Sequence, residues 1–172
     1  RGFDTTLISG PTNIKITENI KFIQVETAEE MFKATQQNLP TDVAIFTAAV
    51  SDFKIKKKHK KKIPKQENLV IDLEKNIDIL NYISNHNSMR PKLVIGFAAE
   101  TENFEKNAIK KLKDKNCDMI IANDVSNQEI GFDSDFNEVT IFYKNKKQEK
   151  LSLKNKVLIS EEIVERVNNQ LN

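Results

Sequence analysis

The chain has 172 residues, with 27 Lys+Arg, 25 Asp+Glu and a formal net charge of +2. Eight of the lysines lie between Lys54 and Lys65, a stretch without an acidic residue, so the rest of the chain is acidic. We call this stretch the lysine strip. A net positive charge limited to one strip of an otherwise acidic chain argues against a general nucleic-acid-binding protein, in which basic residues usually spread over a face.

Length and hydropathy predict a single domain, residues 1–172, located in the cytoplasm. The length is close to the prior of roughly one domain per 150 residues. A hydrophobic content of 38% with ten Phe is enough for a core. Cys117 is the one cysteine, which excludes an internal disulfide framework and is typical of a reducing compartment. No apolar run approaches the ~20 residues of a membrane span, and the N-terminus lacks the apolar core of a signal peptide.

Strand-like and helix-like segments alternate along the chain. In chain order, the pattern predicts strands at 5–9 and 22–25, a helix from 27 to about 38, strands at 43–46 and 69–73, a helix at 78–84, a strand at 92–97, a helix at 102–115, a strand at 118–122, an antiparallel pair at 138–143 and 150–153, and a helix from about 160 to 171. Thr27 and Glu30 form a capping box at the first helix. The apolar runs at 43–46, 92–97 and 118–122 are typical of strands buried on both faces of a parallel sheet. The fold class predicted is α/β, with a Rossmann-like, mostly parallel sheet flanked by helices and an antiparallel extension.

Corners of small residues ending in polar groups follow the three apolar strands. They are Ala48 to Phe53, Gly96 to Thr101, and Ala122 to Asp124. Ligands of such sheets bind beyond the carboxyl ends of the strands. Any one corner is explained by a tight turn, whereas three in series favour a ligand site. Asp52 has three open roles here: binding a ribose hydroxyl, binding a metal ion, or capping the next turn.

Lysines beside acidic corners suit a polyphosphate, because ammonium groups hold part of its charge and a divalent ion neutralises the rest. Most of the lysine strip is predicted to be a solvated loop. On the helix at 102–115, Lys111 and Lys115 are four apart and share a face, but Lys110 and Lys113 offer competing spacings. The sequence contains no Walker motif, GxGxxG, HExxH or CxxC.

A series of short motifs runs through nearly the whole chain. They are LISGPT at 7–12, TAEEM at 27–31, AAVSDF at 48–53, KIPK at 62–65, KNIDI at 75–79, GFAAET at 96–101, ANDV at 122–125 and GFDSD at 131–135. In this order they resemble the phosphopantothenate–cysteine ligase domain of the bifunctional coenzyme A biosynthesis flavoprotein.

The resemblance implies a ligase that joins 4′-phosphopantothenate to L-cysteine in coenzyme A biosynthesis, at the expense of CTP. The substrate carboxylate attacks the α-phosphate, giving an acyl-cytidylate and pyrophosphate, and the cysteine amine then displaces CMP. It further implies a requirement for Mg²⁺, a homodimer with sites near the subunit interface, and a flavin-dependent decarboxylase domain fused upstream.

The same resemblance assigns site residues by motif position. Lys62 matches the lysine of a mobile loop and is the catalytic candidate, with an ammonium group placed to stabilise the oxyanion formed as cysteine attacks. The positions matching nucleotide-binding residues are Phe46, Thr47, Ala48, Asp52, Lys62, Asn76, Ile77, Asp78, Ile79, Phe97, Lys111 and Lys115. The match thus selects Lys111 and Lys115 from the four helix lysines. Asp52 is also the candidate metal ligand.

The chain departs from the family pattern at three places. The family's KIKK has Pro64 here, which removes a backbone donor and stiffens the loop beside Lys62. Its NPDI has Ile77, which lacks the fixed φ of proline. The family's first strand, its Gly-rich loop and an Asn used in the acyl-cytidylate step would precede Arg1. We therefore expect an N-terminally incomplete domain with exposed strand edges, which binds nucleotide and turns over poorly alone.

Two other functions compete with the ligase. One is a nucleotide-binding regulatory domain, or an inactive homologue, that has kept the fold and lost the reaction. The other is binding of RNA or an acidic surface through the lysine strip, which predicts steep salt dependence. The strip has no interleaved aromatic residues for base stacking, and our prediction is of no nucleic-acid and no membrane partner.

Overall fold

The computed structural model describes residues 2–16, 19–57, 69–124 and 134–171. The elements in this part of the chain are β1 (Thr6–Ser9), β2 (Lys21–Gln24), α1 (Ala28–Gln37), β3 (Val43–Phe46), β4 (Phe53–Ile55), β5 (Leu73–Lys75), α2 (Ile79–Ser84), β6 (Leu93–Glu100), α3 (Phe104–Asp114), β7 (Met119–Asp124), β8 (Phe136–Tyr143), β9 (Gln148–Asn155) and α4 (Lys156–Leu171). None of these helices is both long enough and apolar enough to cross a membrane.

The elements belong to two compact units. The first unit consists of Arg1–Leu39 and Ala48–Ile79. The second unit consists of Pro40–Thr47 and Leu80–Asn172. The chain thus leaves the second unit after Thr47 and returns to it at Leu80.

The second unit is built on a five-stranded sheet with the order β3-β6-β7-β8-β9. β3, β6 and β7 are parallel, and β8 and β9 continue the sheet antiparallel. This confirms the predicted α/β class, the mostly parallel central sheet and the antiparallel extension. The β8–β9 connection turns at Asn145 and Lys146, with Lys146 at a φ of 69°, as the predicted hairpin requires.

Each face of this sheet carries its own hydrophobic cluster, because residues along a buried strand alternate between the faces. The first cluster combines Ile95, Ile121 and other strand residues with Ile163 and its neighbours on α4. The second combines Val94, Ile120 and other strand residues with Ala108 and Leu112 of α3, and it includes the buried Cys117. Helices therefore cover both faces, and β6 and β7 are buried on both sides as predicted.

β3 differs from its prediction in burial, although its bounds are as predicted. Val43, Ala44 and Phe46 are half-buried, and Ile45 is 45% exposed. Among the described residues β3 pairs only with β6, so it lies at an edge of the sheet. A continuous apolar run cannot distinguish an edge strand from a central one, which explains the error.

The first unit contains two small sheets. β1 and β2 are parallel, and α1 follows them. The predicted capping box is confirmed: the Thr27 side chain accepts from Glu30 N, and the Glu30 carboxylate accepts from the Thr27 backbone N–H.

β4 and β5 form the second small sheet, which the sequence pattern did not predict correctly. β4 begins at Phe53 and ends within the lysine strip, where a solvated loop was expected. The predicted strand at 69–73 is displaced to Leu73–Lys75, where it pairs antiparallel with β4. The Lys54–Glu74 ion pair joins the two strands at 3.4 Å, so this lysine is a sheet residue.

Candidate functional site

The parallel strands of the second unit do not end at the same level: β3 stops short of the carboxyl ends of β6 and β7. We call this offset the step. β3 ends at Phe46, which is in register with Gly96, whereas β6 and β7 continue to Glu100 and Asp124. Phe46 packs against the second cluster, and Thr47 is exposed where the chain leaves the unit. The backbone of β6 from Phe97 onwards therefore has β7 on one side and no β3 residue paired on the other.

Gly96 allows the close packing beneath this step. A Cβ at this position would lie 2.8 Å from Ile120 Cδ1 and 2.9 Å from Leu80 Cδ2, both closer than real contacts. The next residue, Phe97, is half-buried and packs against the first cluster on the other face. The glycine of the GFAAET motif thus has a packing role beside a predicted site residue.

Lys111 reaches the step from α3. Its Nζ donates to the Phe97 carbonyl at 3.1 Å, so two predicted nucleotide-binding residues are in direct contact. Lys111 and Lys115 are half-buried, whereas Lys110 and Lys113 are exposed. The sheet-facing side of α3 therefore carries the two lysines that the resemblance selected.

The GFAAET corner is tied to α3 by a residue that sequence reasoning missed. Asn107 Nδ2 donates to Glu100 Oε2 at 3.1 Å and to the Glu102 carbonyl at 2.9 Å. These bonds hold the corner against the first turns of the helix. An Asn seven residues after the acid of a motif has no recognised spacing, so the sequence offered no signal for it.

The first unit brings two more predicted site residues together. The Asn76 N–H donates to the Asp52 carbonyl at 2.8 Å, and Asn76 Nδ2 donates to the Ser51 carbonyl at 2.7 Å. The β4–β5 pairing causes this contact, because Phe53 and Lys75 are register partners and their preceding and following residues meet. Ser51 itself closes the corner, with Oγ donating to the Phe53 carbonyl at 2.8 Å.

The remaining candidates of the first unit differ in exposure. Ala48, Asp52, Ile77 and Asp78 are exposed, and Ile79 is buried at the first residue of α2. Asp78 and Ile79 therefore mark a change from surface to core within one motif.

The catalytic candidate lies outside the described residues. Lys62 and Pro64 fall within 58–68, and part of the GFDSD motif falls within 125–133. The prediction for Lys62 is therefore not tested here.

The donor set for a divalent cation is sparse in the described part of the chain, where no group of three or more His, Cys, Asp or Glu could hold a metal ion. Mg²⁺ in phosphate-transfer sites is usually held by one or two carboxylates together with substrate phosphates and water. Asp52, an exposed carboxylate, is the one candidate metal ligand that the sequence analysis named.

Shifted pKa values also occur at a different place, where β8, β9 and α4 meet. Burial raises the pKa of Tyr143 to about 12, and the adjacent Glu149 carboxylate adds to the rise. Arg166 donates to Glu149 Oε1 from Nη2 at 2.7 Å and from Nε at 3.0 Å, and these bonds lower the pKa of Glu149. This network joins α4 to the sheet.

Comparisons with known proteins connect these residues to one family. The sequence model of the DNA/pantothenate metabolism flavoprotein C-terminal domain matches residues 1–171. The coenzyme A biosynthesis bifunctional protein CoaBC of Haemophilus influenzae is 38% identical over 169 residues, which are 97% of this chain and 42% of that protein. The chain therefore spans less than half the length of this curated relative.

Solved structures agree with this match. The crystal structure of the C-terminal domain of CoaBC superposes with a TM-score of 0.78 at 36% identity, covering 98% of this chain and 74% of that one. The DNA/pantothenate metabolism flavoprotein from Streptococcus pneumoniae superposes with a TM-score of 0.74 at 21% identity, covering 99% of this chain and 81% of that one. The second likeness concerns the fold alone.

Proposed function

Because this chain belongs to the DNA/pantothenate metabolism flavoprotein C-terminal domain family, we propose that it is a phosphopantothenate–cysteine ligase domain acting in coenzyme A biosynthesis in the cytoplasm. The observation that carries the proposal is the 38% identity to CoaBC over 97% of the chain. The contacts between Lys111 and Phe97 and between Asn76 and Asp52 add support, because each joins two residues that the resemblance assigns to nucleotide binding.

The proposed reaction has two steps. In the first, a carboxylate oxygen of 4′-phosphopantothenate attacks the α-phosphorus of CTP, and the bond to the β-phosphate breaks to release pyrophosphate. In the second, the cysteine amine attacks the acyl carbon of the acyl-cytidylate, loses a proton, and displaces CMP as the amide forms. Activation is needed because a carboxylate resists attack by an amine, whereas the mixed anhydride does not.

The residues of the chain have mainly electrostatic roles in this reaction. Lys111 and Lys115 hold the negative charge of the triphosphate, and Lys62 stabilises the oxyanion of the second step. Phe46, Thr47, Ala48, Phe97 and the segment 76–79 shape the nucleotide pocket. Mg²⁺, when bound, neutralises phosphate charge, and Asp52 is the carboxylate proposed to hold it.

We also propose that the domain acts as a homodimer. The β4–β5 sheet supports this. Cross-strand partners share a face, so Phe53, Ile55 and Leu73 lie on one face of this sheet, each about half exposed. An exposed apolar face of this kind suits contact with a second copy of the chain. Light scattering tests it: Ile55→Ser should shift the chain towards monomer, and a wild-type chain that is monomeric at micromolar concentration contradicts the dimer.

Pyrophosphate release tests the ligase function. With CTP, Mg²⁺ and 4′-phosphopantothenate we expect release of pyrophosphate, and addition of cysteine should yield CMP and the amide, detected by mass spectrometry. Lys62→Ala should lower amide formation by about 100-fold, the scale of one lost oxyanion donor.

Lys111→Ala should raise the KM for CTP, whereas Lys110→Ala, the matched exposed lysine, should leave it unchanged. Stability shifts with CTP, ATP, UTP and GTP identify the preferred nucleotide, because binding raises the melting temperature by mass action. Nucleotide binding without pyrophosphate release would favour the regulatory alternative over the ligase.

A further inference from the structure

The C-terminal end of α3 is fixed by a complete helix-ending motif. Lys115 is the C-cap residue, and Asn116 follows it in the left-handed conformation at a φ of 48°. The Asn116 N–H donates to the Lys113 carbonyl and the Cys117 N–H to the Leu112 carbonyl, each at 3.0 Å. These two bonds form a Schellman motif, which normally has Gly at the left-handed position. The lysine proposed to bind nucleotide is therefore held at a rigid helix end.

A buried serine from another helix bonds to this end. Ser84, the last residue of α2, is fully buried, and it is the one polar residue among the buried residues in the described part of the chain. Its Oγ donates to the carbonyl oxygen of Lys115. The contact joins residues 31 positions apart within the second unit.

Side chains of Asn116 and Arg90 also hold this contact between α2 and the end of α3, which we call the joint. Asn116 Nδ2 donates back to the Ser84 carbonyl at 3.1 Å. Arg90 donates to the Ser84 carbonyl from Nε at 2.8 Å and to the Asn116 carbonyl from Nη2 at 3.0 Å. These bonds hold the backbone at Ser84 and the backbone at Asn116 relative to one another, and Lys115 lies directly before Asn116.

We infer that Ser84 is a positioning residue that sets Lys115 for the phosphates of the nucleotide. This inference rests on the proposed function, in which Lys111 and Lys115 share one triphosphate. Lys111 is anchored one turn earlier through its bond to the Phe97 carbonyl. Fixing the Lys115 backbone therefore restricts the positions that its side chain can reach relative to Lys111, and a preorganised pair loses less conformational entropy when it binds.

The test is a double-mutant cycle measured as CTP affinity, by titration calorimetry in Mg²⁺ on the full chain. Ser84→Ala should raise the Kd for CTP by about threefold to tenfold, the range of one neutral hydrogen bond. Lys115→Ala should raise it by about tenfold or more, since a charged contact is lost. In the Lys115→Ala background, Ser84→Ala should have no further effect, because its influence passes through that side chain.

The controls separate positioning from general damage. Ser160→Ala removes an exposed serine hydroxyl of α4 that donates to the Val157 carbonyl at 2.7 Å, and it should leave the Kd unchanged. Asn116→Gly keeps the left-handed position and removes the bond to the Ser84 carbonyl, so it provides a second way to loosen the joint if Ser84→Ala folds poorly. Asn116→Gly should also raise the Kd for CTP, but only in a chain that retains Lys115.

The outcomes distinguish the two proposals. Additive effects of Ser84→Ala and Lys115→Ala overturn the positioning role while leaving Lys115 as a nucleotide ligand. An unchanged Kd in Lys115→Ala refutes the nucleotide role of that lysine, and the positioning role with it.

Discussion

The two units of the chain differ in how their apolar side chains are covered. The second unit buries strand and helix residues on both faces of its sheet, in two clusters. In the described residues of the first unit, Val25, Ala34 and Ile79 are the buried hydrophobic residues, while Leu7, Phe22, Phe53 and Leu73 are among those exposed. In the second unit, the candidate residues on α3 and β6 are held by packing. In the first unit, the contact of Asp52 with Asn76 is held by a backbone hydrogen bond.

The largest expected effect is on the core of the second unit. Ile121 is fully buried in the first cluster, and Ile121→Ala should lower the free energy of unfolding by about 2 to 5 kcal/mol through lost burial and a cavity. Ile14 of the first unit is 76% exposed, and Ile14→Ala should change the free energy of unfolding by less than about 0.5 kcal/mol. Chemical denaturation measures both, and equal losses would remove the difference between the units.

Two glycines, one in each unit, test the same difference in packing. Gly96→Ala should destabilise the chain by about 1 to 3 kcal/mol, because the new methyl group meets Ile120 and Leu80 in a packed core. Gly10 of the first unit has no atom within 4 Å of the equivalent Cβ position, so Gly10→Ala is the matched control and should be nearly neutral. Thermal unfolding distinguishes them, and a neutral Gly96→Ala would show that the step in the sheet repacks freely.

In the first unit, local capping should matter more than packing. Thr27→Ala removes the acceptor for the Glu30 N–H and should destabilise α1 by about 1 kcal/mol. Hydrogen exchange of the α1 amides is the appropriate measurement, since the loss is local. Thr35→Ala, in which the hydroxyl donates to the Met31 carbonyl within the same helix, is the control and should not increase exchange. Similar exchange in both variants would assign the stability of α1 to its packing.

The smallest effect concerns pH in the second unit. The folded chain holds the pKa of Glu149 below its ordinary value of 4.5, because Arg166 donates to the carboxylate. A lowered pKa stabilises the fold fully above that ordinary value, and the contribution is lost as the pH falls through the folded pKa. Wild type should therefore lose more stability than Glu149→Gln as the pH falls below 4.5. Parallel acid-unfolding curves for the two proteins would contradict this linkage.

The structural features that could be predicted from the sequence are those that local chemistry decides. The capping box at Thr27 and the bounds of β3 are of this kind, as is the β8–β9 hairpin. β4 was missed because Lys54 looks like part of a solvated run, and its pairing with Glu74 depends on a strand that lies 20 residues away.

The site shows the same limit. Asp52 and Asn76 were each named from a motif, but the hydrogen bond between them follows from a pairing that no local pattern encodes. The spacing of the α3 lysines left Lys110 and Lys113 as competitors to Lys111 and Lys115. Burial distinguishes the two sets, and burial depends on which face of α3 packs on the sheet.

The strand order also has a consequence for the sequence of events in folding. β8 and β9 meet across a tight turn, whereas β3 pairs with β6 through Val43 and Leu93, with Ala48–Ile79 of the other unit between them in the chain. Closing long loops costs more chain entropy, and pairings between distant segments form slowly. The hairpin is therefore an early event and β3 docks late. Phe46 and Thr47 at its end then take their places last, after the rest of the sheet has formed.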